Sequence, residues 1–456
     1  MAKIFCIVDG HTGLLNVSLE LSRRLRDAGH EISLGALTES RNKVESADFS
    51  WLELQPRYLS PGVAKGFGGA PLNKLAAAVR NRVGYKRKRE RALAELALPA
   101  FTYLLQTDRP DLVIIGMECR EYIIATYGEG VPILLLSPWF NGAYLPDLPP
   151  LNTLLAPNGS TGYQDAINLA WNQRLAKLSQ QRQRRFRWSA GLDRESLLLE
   201  LANRRGIPAS AIDRLGWPAP FTIKGLPVAH TTLDALELPH EQPEFHHYLG
   251  PMVPSSPPPN EKGSEVDERL EEMLKRRAQQ QRKLIYCSVS TMAEGIDDFL
   301  ERVVQACAGR KDWLLIVALG GNGGRLDHIE LPDNAYVFEW VPQLKVLAEA
   351  DCSINHAGIN TINECIVNEV PMVIYSGGRF DQDGCAARIA YHQLGVVGDR
   401  AEDDSVAIRS NIERVLTEPV FRAKISEVNR YAQSEEVRGR LLALVERVMA
   451  EGNPVL

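Results

Sequence analysis

Short apolar runs alternate with longer segments of helical periodicity over the first 140 residues. Residues 15–28 repeat apolar positions on one helix face and end at Gly29, a residue typical of helix C-caps. A second helix is predicted over residues 119–127. The strands predicted around these helices cover residues 4–8, 31–37, 111–115 and 132–136. This alternation is typical of a parallel sheet with helices on both faces.

The second half of the chain repeats the same alternation. Its predicted strands cover residues 284–288, 313–318, 336–338, 352–354 and 372–375. A stretch rich in Pro and Ser, about residues 250–263, separates the halves and is typical of a linker. We therefore predict an α/β protein with two Rossmann-like, doubly wound domains that face a cleft. The predicted boundaries are 1–245, 246–430 and a C-terminal helix within 431–456.

Composition agrees with two ordinary globular domains. The chain has 456 residues, of which 45% are hydrophobic and 24% charged, and its net charge is −5. With no overall basic bias, nucleic acid is not an expected partner. The N-terminus lacks the pattern of a signal peptide, and no run of about 18 apolar residues is present. Seven Cys without C-x-x-C spacing indicate buried hydrophobes in a reducing compartment, so we expect a cytoplasmic protein.

Two basic runs interrupt this even charge. Seven Lys or Arg lie between Arg80 and Arg91, and four Arg lie within residues 182–187. Solvated helix faces are the favoured interpretation of both runs. The alternative is a weak peripheral contact of residues 80–91 with anionic lipid.

The chemistry concentrates in residues 340–388. Residues 351–355 are predicted to form a buried strand, and a helix opens just after it. The free N–H groups and positive dipole of a helix N-terminus suit a diphosphate, and Gly358 lets the backbone approach it. Glu364 lies one turn further on, where a carboxylate suits a ribose diol. Side chains that can donate hydrogen bonds to phosphate are His356, Asn360 and Thr361.

Two flanking features complete the set. Trp340 can stack on a flat base and Gln343 can read its edge, while Asp381 and Gln382 follow the next strand. Taken singly, each has a plainer interpretation: a core aromatic, a half-buried His, a solvated Glu, a helix cap. Their joint order and spacing favour a nucleotide-sugar site.

These residues resemble the plant-type nucleotide-sugar box of the family-1 glycosyltransferases, which have GT-B architecture. The resemblance implies that Trp340 and Gln343 hold uracil and that Glu364 binds the ribose. It also implies a C-terminal helix that crosses back onto the first domain. It assigns the remaining roles as follows: the diphosphate to Thr291, His356, Gly358, Asn360 and Thr361, and the sugar hydroxyls to Asp381 and Gln382.

The sequence departs from the family pattern at several positions. Ser290 replaces a usual Gly, Cys385 replaces a common Asn, and the segment 371–381 is one residue longer. These changes leave the identity of the sugar open. The nucleotide assignment is hardly affected.

The catalytic end departs further. The family's His and Asp, which remove the acceptor's proton, fall on Leu14 and Gly116. His11 and Glu118 lie nearby in sequence and are a candidate base and its orienting partner. The equally supported alternative is a surface His and a helix-capping Glu, in which case the acceptor must ionise easily, as a phenol or carboxylic acid does.

The resemblance implies an inverting glycosyltransferase that moves a sugar, expected to be glucose, from a UDP-sugar to a small apolar acceptor. UDP-sugar is a co-substrate, and no other cofactor, metal or obligate protein partner is expected. Two alternatives remain open: a UDP-sugar epimerase on the same fold, and a non-catalytic GT-B-like partner protein.

Overall fold

The computed structural model describes residues 1–9, 12–54, 79, 81–217, 221–254, 264–288, 296–320, 326 and 328–455. A seven-stranded parallel sheet forms the first half, in the order β3-β2-β1-β4-β5-β8-β9. Its strands are β1 (Lys3–Ile7), β2 (Glu31–Ala36), β3 (Ser50–Glu53), β4 (Leu112–Gly116), β5 (Ile133–Ser137), β8 (Val228–His230) and β9 (His246–Tyr248). A separate antiparallel pair joins β6 (Ile212–Asp213) to β7 (Thr222–Ile223).

Helices cover both faces of the first sheet. Successive side chains of β1 point to opposite faces: Phe5 and Ile7 join one core cluster, whereas Ile4 and Cys6 join the other. The helices are α1 (Thr12–Asp27), α2 (Arg41–Ser46), α3 (Tyr85–Leu96), α4 (Pro99–Asp108), α5 (Arg120–Gly128), α6 (Tyr163–Ser189) and α7 (Arg194–Arg204).

A six-stranded parallel sheet forms the second half, in the order β12-β11-β10-β13-β14-β15. Its strands are β10 (Lys283–Ser288), β11 (Trp313–Ala318), β12 (Ala335–Phe338), β13 (Cys352–Asn355), β14 (Met372–Ile374) and β15 (Gly395–Val397). The accompanying helices are α8 (Ser264–Gln279), α9 (Ile296–Cys307), α10 (Gln343–Leu347), α11 (Ile359–Val367), α12 (Gln382–Tyr391), α13 (Ser405–Thr417), α14 (Pro419–Ala432) and α15 (Glu435–Glu451).

The prediction of two doubly wound α/β halves is confirmed. The predicted strands occur within one or two residues of their expected positions, but β3, β8, β9 and β15 were not predicted. Polar residues break the apolar runs of β3, β8 and β9, and β15 is a three-residue strand that begins with a glycine. Because β9 pairs with β8, the first sheet continues to Tyr248, three residues past the predicted boundary at 245.

The last helix, α15, packs on the first half. Its apolar residues Leu441, Leu444 and Val445 join the same core cluster as Ile4 of β1. Beyond the helix, the Tyr127 hydroxyl donates to the Pro454 carbonyl at 2.6 Å. The end of the chain is therefore fastened to the domain in which the chain begins.

Two contacts join the halves away from the cleft. The Gly384 N–H at the start of α12 donates to the Leu151 carbonyl at 2.8 Å, and a Cβ at position 384 would overlap that carbonyl. Arg388 forms an ion pair with Glu237, and the two side chains are 1% and 5% exposed. Backbone contact and buried charge thus set how the halves meet.

The basic run 80–91 lies partly on α3. Arg89 forms an ion pair with Glu200 at 3.0 Å, and Arg91 pairs with Glu95 at the same distance. These pairs support the interpretation as a solvated face, and lipid contact stays a prediction. Among the described residues, no helix is long and apolar enough to cross a membrane. All seven Cys are buried, and none of them forms a disulfide.

Candidate active site

A cleft of about 480 Å³ opens between the two halves at the segment singled out above. Trp340 lies between β12 and α10 and is 37% exposed, so the edge or face of its indole is available to a ligand. The second half supplies Trp340, Gln343, Asn360 and Glu364 to the walls, and the first half supplies residues of α1 and α2 with Phe49.

Gln343, the first residue of α10, is engaged at both ends of its amide. Its Oε1 accepts a hydrogen bond from the Tyr286 hydroxyl at 3.0 Å. Its Nε2 donates to Glu364 Oε2 and lies 3.4 Å from Thr361 Oγ1. The structure therefore links three residues of the predicted sugar-donor site, Gln343, Thr361 and Glu364, to one another.

Glu364 lies on α11 with its carboxyl facing the cleft wall. Burial raises the pKa of this carboxyl to about 7, and the hydrogen bond from Gln343 acts in the opposite direction. Near neutral pH the group therefore divides between carboxylate and carboxylic acid. Either form can bond a hydroxyl, but only the carboxylate accepts through both oxygens.

The turn between β13 and α11 is tightly built. Asn355 Oδ1 accepts a hydrogen bond from the Ala357 N–H at 2.9 Å, and Ala357 has a φ of +63°. A non-glycine residue in this region is strained, as is common at ligand sites. At Gly358, a Cβ would lie 2.8 Å from His356 Nε2, so the ring needs a glycine beside it.

His356 is a nearly buried imidazole at the start of this turn. Burial lowers its pKa, against the opposing effect of the Ser288 carbonyl, so the ring is neutral near pH 7. Its Nδ1 is buried and has no hydrogen-bond partner in the described part of the chain. A neutral imidazole carries one N–H, so this ring can donate one hydrogen bond, either to the Ser288 carbonyl or to an anion at the N-terminus of α11, without adding charge.

Asn360 bridges the two halves. Its Nδ2 donates to the Gly13 carbonyl in the first turn of α1 at 2.9 Å. A Cβ at Gly13 would lie 2.8 Å from the same nitrogen, so the approach requires a glycine. Asn360 Oδ1 is buried without a partner among the residues described. The amide that was predicted to bind phosphate is therefore also a link between domains.

Asp381 and Gln382 stand at the start of α12. The Gln382 Oε1 accepts from the N–H groups of Gly377 and Arg379 at 3.0 and 3.3 Å and so holds the preceding loop. Asp381 is buried, which raises the pKa of its carboxyl to about 6. Its Oδ2 accepts a hydrogen bond from Cys385 Sγ at 3.2 Å.

At the catalytic end, the two residues in the family's dyad positions are neighbours. Leu14 Cδ2 lies 3.1 Å from the place of a Cβ on Gly116, at the end of β4. Glu118 follows two residues later and is partly buried. His11 and Thr291 lie outside the described residues. The geometry thus places an apolar contact where the family has its base and orienting acid.

Two site residues escaped the sequence reasoning. Tyr286 is a buried strand residue that reaches Gln343, and Asn363 donates its Nδ2 to the Thr231 carbonyl at 3.0 Å across the halves. A tyrosine in an apolar strand and an asparagine inside a helix carry no periodic signal that sets them apart. Their roles depend on partners more than 50 residues away in the chain.

Comparison with known proteins gives this geometry a context. Residues 302–444 match the family described as the erythromycin biosynthesis protein CIII-like C-terminal domain. A protein named uncharacterized UDP-glucosyltransferase YdhE, from Bacillus subtilis (strain 168), is 29% identical over 172 residues. That stretch is 36% of this chain and 42% of the relative, so less than half of the relative is spanned.

Other similarities cover nearly the whole chain. NDP-glycosyltransferase YjiC of Bacillus subtilis (strain 168) is 20% identical over 447 residues, 96% of this chain and 95% of the relative. The crystal structure of the glycotransferase of kitacinnamycin superposes with a TM-score of 0.65 at 19% identity and 98% coverage of both chains. The chain therefore has the GT-B fold, and residues 302–444 of its second half are similar to the erythromycin biosynthesis protein CIII-like C-terminal domain.

Proposed function

We propose that this protein is an inverting glycosyltransferase that moves glucose from UDP-glucose to a small apolar acceptor, such as a phenol, a natural product or a lipid-like alcohol. One observation carries the proposal: Trp340, Gln343, Asn360 and Glu364 line a single cleft between two Rossmann-like halves. Similarity to proteins named as a UDP-glucosyltransferase and an NDP-glycosyltransferase supports the donor class.

Within this proposal, each part of the donor has its own group of residues. Trp340 stacks on the base, and Glu364 binds the ribose. The diphosphate lies against His356 and the N-terminus of α11, where neutral donors and the helix dipole offset its charge without a metal. Thr361 and Thr291 donate further hydrogen bonds to the diphosphate. Asp381 and Gln382 bind the sugar hydroxyls.

The reaction then needs a base at the opposite wall. The acceptor oxygen attacks the anomeric carbon from the face opposite UDP, the glycosidic bond to phosphate breaks, and the acceptor's proton passes to the base. His11, oriented by Glu118, is the proposed base. UDP leaves with its developing charge held at the helix N-terminus.

The donor site is tested by thermal denaturation with UDP. Ligand at a hundredfold excess over its Kd should stabilise the wild type by about 2.7 kcal/mol. His356→Ala and Glu364→Ala should each reduce this shift, because one contacts diphosphate and the other ribose. His328→Ala, on a surface His paired with Glu301, is the control and should keep the full shift. Full shifts in both site variants would show that UDP binds elsewhere.

The base is tested with acceptors of graded pKa. His11→Ala should lower turnover by roughly two to four decades on alcohols and by less on phenols, whose pKa is near 10. Glu118→Gln should cause a smaller loss if it only orients the imidazole. Wild-type rates of His11→Ala on the least acidic acceptor would remove His11 from the mechanism.

A second candidate is a nucleotide-binding protein without transfer activity. The contact between Leu14 and Gly116 favours it, because no proton acceptor stands in either family position. Consumption of UDP-glucose with and without acceptors separates the two: an enzyme turns over donor, and a binding protein only shows the thermal shift. Nothing in the cleft favours the epimerase alternative.

A further inference from the structure

Tyr286 is a buried phenol whose hydroxyl contacts Gln343, a residue that lines the cleft. It lies on β10, is 1% exposed, and donates its hydroxyl hydrogen to Gln343 Oε1 at 3.0 Å. Burial, together with the negative charge of Glu364, raises the pKa of the phenol well above its usual range. The hydroxyl therefore stays protonated at any physiological pH and acts as a donor.

This donor determines which way the Gln343 amide points. With Oε1 bonded to Tyr286, Nε2 faces Glu364 and donates to its Oε2. When Glu364 is ionised, a flipped amide would set its carbonyl oxygen against the carboxylate, which is repulsive. The hydrogen bonds therefore run in one direction, from Tyr286 through Gln343 to Glu364.

In this arrangement, one oxygen of the Glu364 carboxyl stays available to a ligand. Its Oε2 is held by Gln343, whereas Oε1 makes no hydrogen bond to the residues that the structure describes. The side chain lines the cleft beside Trp340. A carboxyl held at one oxygen presents the other in a defined position, which lowers the entropy lost when a hydroxyl binds.

We propose that Tyr286 is a positioning residue for ribose recognition: through Gln343 it orients Glu364 to accept a hydrogen bond from the ribose 2′-hydroxyl. Gln343 then orients a carboxylate instead of reading the base edge. The cleft selects a ribonucleoside diphosphate such as UDP over a 2′-deoxy nucleotide such as TDP. This inference rests on the proposed donor site and goes beyond it.

The test measures Kd for UDP and for dUDP, which differ only in the 2′-hydroxyl, by isothermal titration calorimetry. Wild type should prefer UDP. Tyr286→Phe should weaken UDP roughly three- to tenfold, the worth of one neutral hydrogen bond, and dUDP by less than about twofold. The ratio of the dUDP Kd to the UDP Kd therefore falls, which a general loss of packing would not produce.

A matched control is Tyr375→Phe. Tyr375 is likewise a buried phenol of the second half and donates to a carboxylate, Asp403 Oδ2, at 3.0 Å, but it does not line the cleft. Its removal should leave the ratio of Kd values at the wild-type level. An equal fall in both variants would overturn the assignment to Tyr286.

Gln343→Met provides a second route that keeps Tyr286 in place. If Gln343 orients Glu364, this variant should lose UDP affinity while dUDP changes little. If Gln343 reads the base edge, UDP and dUDP should weaken equally, which overturns the inference even if Tyr286→Phe does not fold.

The outcomes separate this inference from the function on which it rests. Wild type that binds neither nucleotide would defeat both. Wild type that binds UDP and dUDP equally well would defeat the inference and leave the glycosyltransferase proposal standing. Tight UDP binding with an unchanged ratio in Tyr286→Phe would make Tyr286 a packing residue only.

Discussion

At the scale of single residues, two buried carboxyl groups of the second half have unusual proton affinity. Burial raises the pKa of Glu364 to about 7 and that of Asp381 to about 6, well above the ordinary range of a carboxyl group. Below these values each carboxyl binds more protons in the folded protein than in the unfolded chain. Each therefore contributes a decrease in the free energy of unfolding as pH rises through this window, whereas buried histidines with a lowered pKa, such as His230 and His356, contribute an increase.

The prediction is that the slope of unfolding free energy against pH, between about pH 4.5 and 7, shifts in the positive direction in Glu364→Gln and in Asp381→Asn relative to the wild type. Urea denaturation at a series of pH values measures it. Glu369→Gln is the control, because the hydrogen bonds from Ser426 and Asn429 lower the pKa of Glu369 and move its titration below this range. A slope that both site variants retain in full would contradict the assignment.

At the scale of elements, two aspartates open helices and serve them differently. Asp404, before α13, accepts hydrogen bonds from the N–H groups of Val406 and Ala407 at 3.0 and 2.8 Å. Asp381, before α12, makes no such cap. Because the Asp381 carboxyl makes no cap bond and is held by the weak thiol donor of Cys385, it can also serve a ligand.

Asp381→Ala should therefore lower turnover with UDP-glucose by one to two decades, since a charged hydrogen bond is worth roughly 1.5–3 kcal/mol. UDP affinity should stay nearly unchanged, because UDP lacks the transferred sugar that Asp381 is proposed to bind. Asp404→Ala should cost about 1 kcal/mol of stability and leave turnover intact. Steady-state kinetics and UDP titration on both variants decide it, and a parallel loss of UDP binding in Asp381→Ala would refute the assignment.

At the scale of the whole molecule, one buried charge pair joins the halves. Glu237 also accepts hydrogen bonds from the Asn141 N–H and the Tyr248 hydroxyl, at 3.0 and 2.9 Å. The Arg388 guanidinium lies 4.7 Å from the Phe140 ring centroid. Removing either charge leaves the other buried without its partner, which is costly.

Arg388→Met should lower the free energy of unfolding by roughly 3–5 kcal/mol, measured by urea denaturation. Lys424→Ala is the control, because Lys424 and Glu427 form an exposed pair at 2.8 Å, and exposed pairs contribute little to stability. Similar losses in the two variants would show that the inter-domain pair adds no more than a surface pair does.

Much of the molecule was accessible from the chain alone. Most strands of the two sheets stood out because they are apolar runs, and some are buried on both faces, as β4 and β5 show. The turn at His356, which we propose to bind the diphosphate, and the helix after it were also predictable, since a strand, a glycine and polar donors follow one another within ten residues. Local sequence determines such units because their backbone hydrogen bonds are local or follow from the sheet.

Tertiary structure alone decided the rest. Three contacts illustrate this: Leu14 with Gly116, Asn360 with Gly13, and Gln343 with Tyr286. Each joins residues that lie from 57 to 347 positions apart in the chain. No period or propensity along the chain encodes such a pair. The sequence by itself determined the two α/β halves and pointed to the nucleotide-sugar site that we propose. Packing determined which polar groups face the cleft, because a side chain's partner is whatever the fold brings within about 3 Å.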